Sequence, residues 1–256
     1  MRTTPYAIAL GAFAMLSILA DRAEAAQMFR FDLQSLAYMS TAVVEGDVTA
    51  YERVHWVDKL SVKITRAYAG EFKEGDTVVA GLSAYAKAGA DAFTFERFGV
   101  GDHLILFLEP VTQQSWKDDA IPFWPVSSGL KLIVGGKVTG MEQMENPGPY
   151  VNNIAEGDAE AYPQKVADAV KWAAEFRKEL KEKKSDPAWL LEQLKARPPL
   201  KKEEWGVRDD IAVTLCQAIA NTGDKDAIAR AKALREDRLE RQILNLPPQR
   251  DSTAAQ

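Results

Sequence analysis

Between about residues 40 and 139 apolar and polar positions alternate in twos or form short apolar runs broken by glycine. From about Ala159 onward the apolar positions recur every three or four residues. The first pattern predicts strands joined by tight turns and the second predicts amphipathic helices. The changeover falls at Asn146, Pro147, Gly148 and Pro149. Leu60, Val62 and Ile64 alternate with Ser61, Lys63 and Thr65, as in a strand with one buried face. Val44, Gly46 and Val48 repeat the pattern upstream, and a glycine there predicts a bulge or the close approach of another backbone. Residues 76–82 form a further strand candidate behind the glycines and charges of 70–75. Residues 104–108 are apolar on both faces and so predict a central strand covered on both sides. Residues 131–134 and 137–139 flank Gly135 and Gly136, a pair that tolerates the positive φ angles of a hairpin turn. Residues 121–125 carry two prolines among aromatics, which suits an edge or an irregular crossing. Five to seven such strands close most economically into a small antiparallel barrel or a sandwich.

The helical part is predicted to begin near Pro163, with Val166, Ala169, Val170, Ala173, Phe176 and Leu180 on one stripe. Residues 178–184 are mostly basic and read as the solvated end of that helix, with a docking patch for an acidic partner as the alternative. Asp186 caps a short helix through Trp189, Leu190, Leu191 and Leu194 that stops before Pro198. A third runs through Val207, Ile211, Leu215 and Ile219 to a C-cap at Gly223. Asp224 caps a fourth, with Ile228, Ala231, Leu234 and Leu239 inward, ending at Pro247.

The N-terminus changes the picture of where the protein works. Arg2, the apolar run 7–20 and the Ala23-Glu24-Ala25 triplet predict an export signal cleaved after Ala25. The run is shorter than the roughly 20 residues a spanning helix needs, which leaves an uncleaved anchor as the weaker alternative. The only cysteine, Cys216, lies far downstream, so neither a lipid anchor at the processing site nor an intramolecular disulfide is available. Cys216 itself reads as a small core residue on a helix rather than a reactive thiol or an intermolecular bridge. The formal charge of −5 is unchanged when Arg2, Arg22, Asp21 and Glu24 leave with the signal. Mild acidity argues against a nucleic-acid partner. No later stretch is apolar for long enough to span a bilayer, so a soluble periplasmic or secreted chain is expected.

Residues 42–48, the strand ending at Tyr68, Ala69 and Gly70, the Gly75-Asp76-Thr77-Val78 turn, and Phe98-Gly99-Val100-Gly101-Asp102 leading into 104–108 resemble a known arrangement. It is similar to the OB-type barrel of netrin-like and tissue-inhibitor-of-metalloproteinase-like modules found in exported bacterial proteins, over roughly residues 40–109. The resemblance implies an OB-like barrel, and with the helical pattern from about Ala159 the expected fold is α+β: a small antiparallel OB-like β-barrel followed by a C-terminal helical domain. The expected division is signal 1–25, barrel domain 26–150, helical domain 158–246 and a disordered tail 247–256. Those inhibitors reach a protease metal through a cysteine-bridged N-terminus, and the region following Ala25 here contains no cysteine, so inhibition is not implied. The last two helices, with the turn 221–224, also resemble a single HEAT-type hairpin.

Catalytic chemistry finds little purchase. His55 and Asp58, three apart in a strand, point to opposite faces, and His103 beside Asp102 reads as a satisfied rim histidine. Glu45 and Asp47 share a strand face, which suits a paired-carboxylate or calcium site as the alternative, but no EF-hand-like acidic loop accompanies them and a solvated strand edge is the simpler account. Ser127-Ser128-Gly129 and Gly99-Val100-Gly101 read as turns, and no metal-ligand spacing is present. No catalytic residue, metal or cofactor is therefore expected. Trp116, Phe123, Trp124 and Tyr150 form the candidate binding surface, with sealing of the barrel end or of the helix contact as the alternative. The expected function is an exported non-catalytic module making protein or ligand contacts at the bacterial cell envelope, with another envelope or extracellular protein as partner. A hydrolase with a dispersed site and a structural envelope component are the alternatives.

Overall fold

In the computed structural model, residues 30–55, 57–82, 85–89, 95–112, 120–143, 150–197, 207–235 and 243–245 are described. The predicted signal, the 146–149 changeover, Leu239 and the tail lie outside them. The strands are β1 (Arg30–Phe31), β2 (Ala42–Val54), β3 (Val57–Ala69), β4 (Thr77–Leu82), β5 (Tyr85–Ala88), β6 (Phe95–Glu96), β7 (His103–Pro110), β8 (Phe123–Val134), β9 (Lys137–Gln143), β10 (Tyr150–Asp158) and β11 (Val207–Arg208). The helices are α1 (Leu33–Met39), α2 (Tyr162–Lys183), α3 (Pro187–Lys195), α4 (Asp210–Thr222) and α5 (Lys225–Leu234).

Five strands close a barrel in the order β4-β3-β2-β7-β8, and β8 returns to β4 where Ala80 faces Phe123. The closing joint is parallel, whereas the other four are antiparallel. The molecule is thus an α+β protein, a five-stranded barrel followed by helices. Of the segment 121–125, expected as an edge or an irregular crossing, Ile121 and Pro122 precede the strand and 123–125 open the long β8. β8 bends at Ser128, whose φ is +54°, so that its first part closes the barrel and its last part pairs with β9. β9, β10, β5 and β6 continue the sheet outward, so the strands run on to Asp158 before α2 begins.

The barrel interior is filled by Val44, Val48, Leu60, Val62, Leu104 and Leu106 with their neighbours. Residues 104–108 are completely buried, because Leu104, Leu106 and Leu108 point inward while Ile105 and Phe107 lie under α1 and α2. Gly46 sits at a register shift between β2 and β3, and a Cβ there would fall 2.2 Å from the Lys63 carbonyl oxygen. Gly135 and Gly136 turn the β8–β9 hairpin with φ of +56° and +74°.

α2 buries the predicted stripe Val166, Ala169, Ala173 and Phe176, and its first turn carries Pro163. Asp186 accepts from the Ala188 and Trp189 amides at the start of α3, and Asp224 caps α5 in the same way. Gly223 closes α4 in the left-handed region. Val207 does not begin that helix: it pairs with Arg30 in the small parallel β1–β11 ladder, and Asp209 is the cap. Cys216 is fully buried among Leu215, Ile219 and Ala231.

Nothing in the hydrophobic pattern signals α1, which joins the two layers. Asp32 caps it by accepting from the Ser35 amide at 2.8 Å. At its other end the Arg177 guanidinium of α2 donates to the carbonyls of Ala37, Tyr38 and Ser40. Arg197 donates to Asp32, Gln34 and Asp209 and lies over the Trp172 ring. These two arginines hold the segment 32–40 between barrel and helices. Among the described residues no helix is long and apolar enough to cross a membrane.

Candidate functional site

The first site is apolar and forms where two connections of the barrel converge. Phe123 and Trp124 open β8 and, as neighbours in a strand, face opposite sides. Phe123 packs against the barrel core and meets Phe72 edge-on at 5.3 Å. Trp124 joins a separate cluster of Val57 from the start of β3 with Val111 and Ile121 from either end of the β7–β8 connection. Its indole lies across Gly81 of β4, where a Cβ would come within 2.7 Å of Cζ3, so only glycine leaves room for the ring. Both rings are partly exposed. Trp116 and the Tyr150 side chain lie outside the described residues, and the Tyr150 backbone opens β10 opposite Gln143 and Tyr85. Phe123 and Trp124 are thus close in space but do not form one face.

Directly across from Trp124 on β7 is Glu109, on the same outer side of the barrel. Burial alone raises the Glu109 carboxyl above the ordinary carboxylate value. The sequence offered no reason to single out Glu109, since nothing local marks it as the cross-strand neighbour of an indole.

The second site is polar and adds His103 of β7 to Glu45 and Asp47, which already share a face of β2. β2 and β7 run antiparallel with Asp47 opposite His103, which brings Glu45, Asp47 and His103 together. The His103 ring lies between the carboxylates, Nδ1 2.6 Å from Asp47 and Nε2 3.0 Å from Glu45. Tyr68 donates its hydroxyl to the other Glu45 oxygen, and Arg66 stands 3.8 Å from it. The hydrogen bond to Glu45 raises the His103 pKa; burial opposes this and Asp47 adds to it. Burial pushes Glu45 up, but the bonds from His103 and Tyr68 and the charge of Arg66 outweigh it and leave Glu45 lowered. Burial and the bond to Glu45 raise the Tyr68 phenol.

A carboxylate on each side favours the doubly donating imidazolium, and both ring nitrogens are engaged by these acceptors. Its nitrogens aim in opposite directions at different carboxylates, which is a clamp and not a common coordination point. Among the described residues no group of His, Cys, Asp or Glu converges to hold a metal ion. An open, shallow depression between Asp47, Lys63, Thr65 and Glu74 adjoins this clamp.

Two further ionic groups tie the barrel together. Asp58, nearly buried on the inner side of β3, accepts from Arg53 and from the Tyr51 hydroxyl at 3.0 Å, with Arg97 3.8 Å away. His55 sits at the hairpin tip with φ +54°, where its backbone carbonyl accepts from the same Arg53 at 3.2 Å. On the other flank Lys131 donates to Glu156 at 2.8 Å and the Tyr162 hydroxyl donates to the same carboxylate at 2.6 Å. The Gly140 position leaves the room that Glu156 occupies.

Fold and sites together define a closed five-stranded barrel with an extended sheet edge and a helical region stapled to it. No family model matches the chain, and no curated protein matches it.

Proposed function

We propose that the protein is an OB-type, non-catalytic recognition module exported to the bacterial cell envelope, and that it contacts its partner around Trp124. The observation that carries this reading is the convergence of the β2–β3 hairpin and the β7–β8 connection on one partly exposed indole. Numbered along the barrel, the strands close in the order 1-2-3-5-4-1 with a parallel 3–5 joint. That order supports the OB assignment and the likeness to netrin-like and inhibitor-like barrels, and in OB-folds the 1–2 and 4–5 connections are where ligands bind. The functional step rests on fold analogy joined to the local geometry. The clamp at His103 is a structural element in this reading, since both ring nitrogens are already engaged.

The leader 1–25 supports the address, with a mature chain starting at Ala26. The test is recovery of partners from native envelope extract with the mature chain as bait, beside Trp124→Ala and, as a control, Lys171→Ala on the exposed side of α2. The reading predicts a specific set captured by wild type and the control and lost by Trp124→Ala. Equal capture by all three overturns it.

A further inference from the structure

Trp124 and Gly81 meet across the joint that closes the barrel. β4 and β8 pair there at Ala80 and Phe123, and the next residues along the two parallel strands are Gly81 and Trp124. Ala80 and Leu82 belong to the barrel core, so position 81 faces outward, beneath the indole. A Cβ on Gly81 would fall 2.7 Å from Cζ3 and 3.0 Å from Cε3 of Trp124, and 2.8 Å from Cγ2 of Ile121, where ordinary contact is 3.4–4 Å. Something must then shift. The obstacles are side chains and not backbone, and of the two Ile121 is completely buried while the indole is partly exposed. The indole is therefore the group that can give way, by turning toward solvent about its two side-chain torsions. A ring already packed in one pose has less freedom to lose when a partner arrives.

We infer that Gly81 is a positioning residue for recognition: its missing side chain lets the Trp124 indole lie along the β4–β8 joint, and partner contact depends on that pose and not only on the presence of the ring. An alanine at 81 separates the two, since it keeps the indole but denies it the place it rests in. Removing the ring by Trp124→Ala cannot make that distinction. This inference rests on the recognition reading above and adds how the ring is presented.

The test is Gly81→Ala beside wild type and Trp124→Ala. Thermal unfolding reports whether the barrel holds, and envelope capture reports the contact. The Trp124 indole resonance of the ¹⁵N-labelled mature chain, assigned as the one missing in Trp124→Phe, reports the ring. The expected variant is folded, with the Trp124 resonance displaced and capture down to the level of Trp124→Ala. The Trp172 and Trp189 resonances of the helices, assigned by their own phenylalanine variants, should stay in place. A glycine needed only for folding would lower the Tm without that selective displacement, which overturns the inference. If Gly81→Ala does not fold, it is repeated with Ile121→Leu, which moves the second obstructing methyl at constant volume, and failure of both to fold overturns the inference too. An unmoved Trp124 resonance also overturns it. Partners lost with Trp124→Ala but kept with Gly81→Ala leave recognition standing and remove the positioning role. Capture unchanged by either variant removes both.

Discussion

Gly46→Ala tests the geometry of the barrel more severely than any change in its apolar filling. An added Cβ falls 2.2 Å from the Lys63 carbonyl oxygen and 3.0 Å from the Ile64 Cα, where ordinary contact is 3.4–4 Å. The obstacle is backbone in the middle of the β2–β3 ladder, so no side chain can swing aside. Relief requires the strands to part by about 1 Å at the Gly46–Ile64 and Asp47–Lys63 pairs, weakening a ladder bond worth about 1 kcal/mol. Overpacking strain adds roughly 1–3 kcal/mol. The expected loss is therefore about 2–4 kcal/mol, or roughly 5–15 °C in Tm for a chain of this size. Urea unfolding followed by circular dichroism measures it. Gly99→Ala is the comparison, because nothing lies within 4 Å of its Cβ position and its φ lies outside the left-handed region. That variant should stay within about 0.5 kcal/mol of wild type. A Gly46→Ala protein equally close to wild type would refute the close approach.

Three further outcomes follow from the ionic contacts and the proposed leader. His103→Ala should cost about 1–2 kcal/mol near pH 6. The raised His103 pKa makes its contribution complete below the unfolded value of 6.5 and lost as pH rises through the folded value, while the lowered Glu45 pKa makes its own present above 4.5 and lost on acidification through its folded value. The gap between wild type and variant should therefore be widest between about pH 4.5 and 6.5 and shrink by pH 9 in urea titrations, whereas a gap that grows with pH would contradict the clamp. Arg197→Met strands the buried Asp209 and frees Asp32, so a loss of about 3 kcal/mol in the same assay is expected, with faster exchange of the amides in 33–39. Mass spectrometry of the protein recovered from its native envelope should give an N-terminus at Ala26, and an intact Met1 in exported material would contradict the leader.

What the sequence made visible was local. The period-two run at Leu60, Val62 and Ile64, the doubly apolar 104–108, the Gly135–Gly136 turn and the caps at Asp186 and Asp224 each depend on a few adjacent residues, and each is found where expected. Gly46 was legible as well, since a glycine in a valine strand has few physical reasons to be there. What stayed hidden was set by partners distant in the chain. α1 is held by Arg177 and Arg197, more than a hundred residues away, so its own short sequence carries little helical signal. β8 passes from β4 to β9 through Ser128 at φ +54°, a single strand serving two partners that alternation alone does not reveal. The clamp required knowing that Asp47 lies across from His103, and the contact of Trp124 with Gly81 required the β4–β8 joint. Both sites are properties of strand pairing, not of any motif.

The central claim, that the face around Trp124 is an interface, is tested most directly by photo-crosslinking in living cells. A photoreactive residue is placed at Thr112 or Pro122, exposed positions beside the Trp124 cluster, and for comparison at Lys171 or Arg230 on the helices. The account predicts discrete adducts of one mass from positions 112 and 122 and none from 171 and 230. No adducts from the first pair, or the same adducts from all four positions, would contradict it.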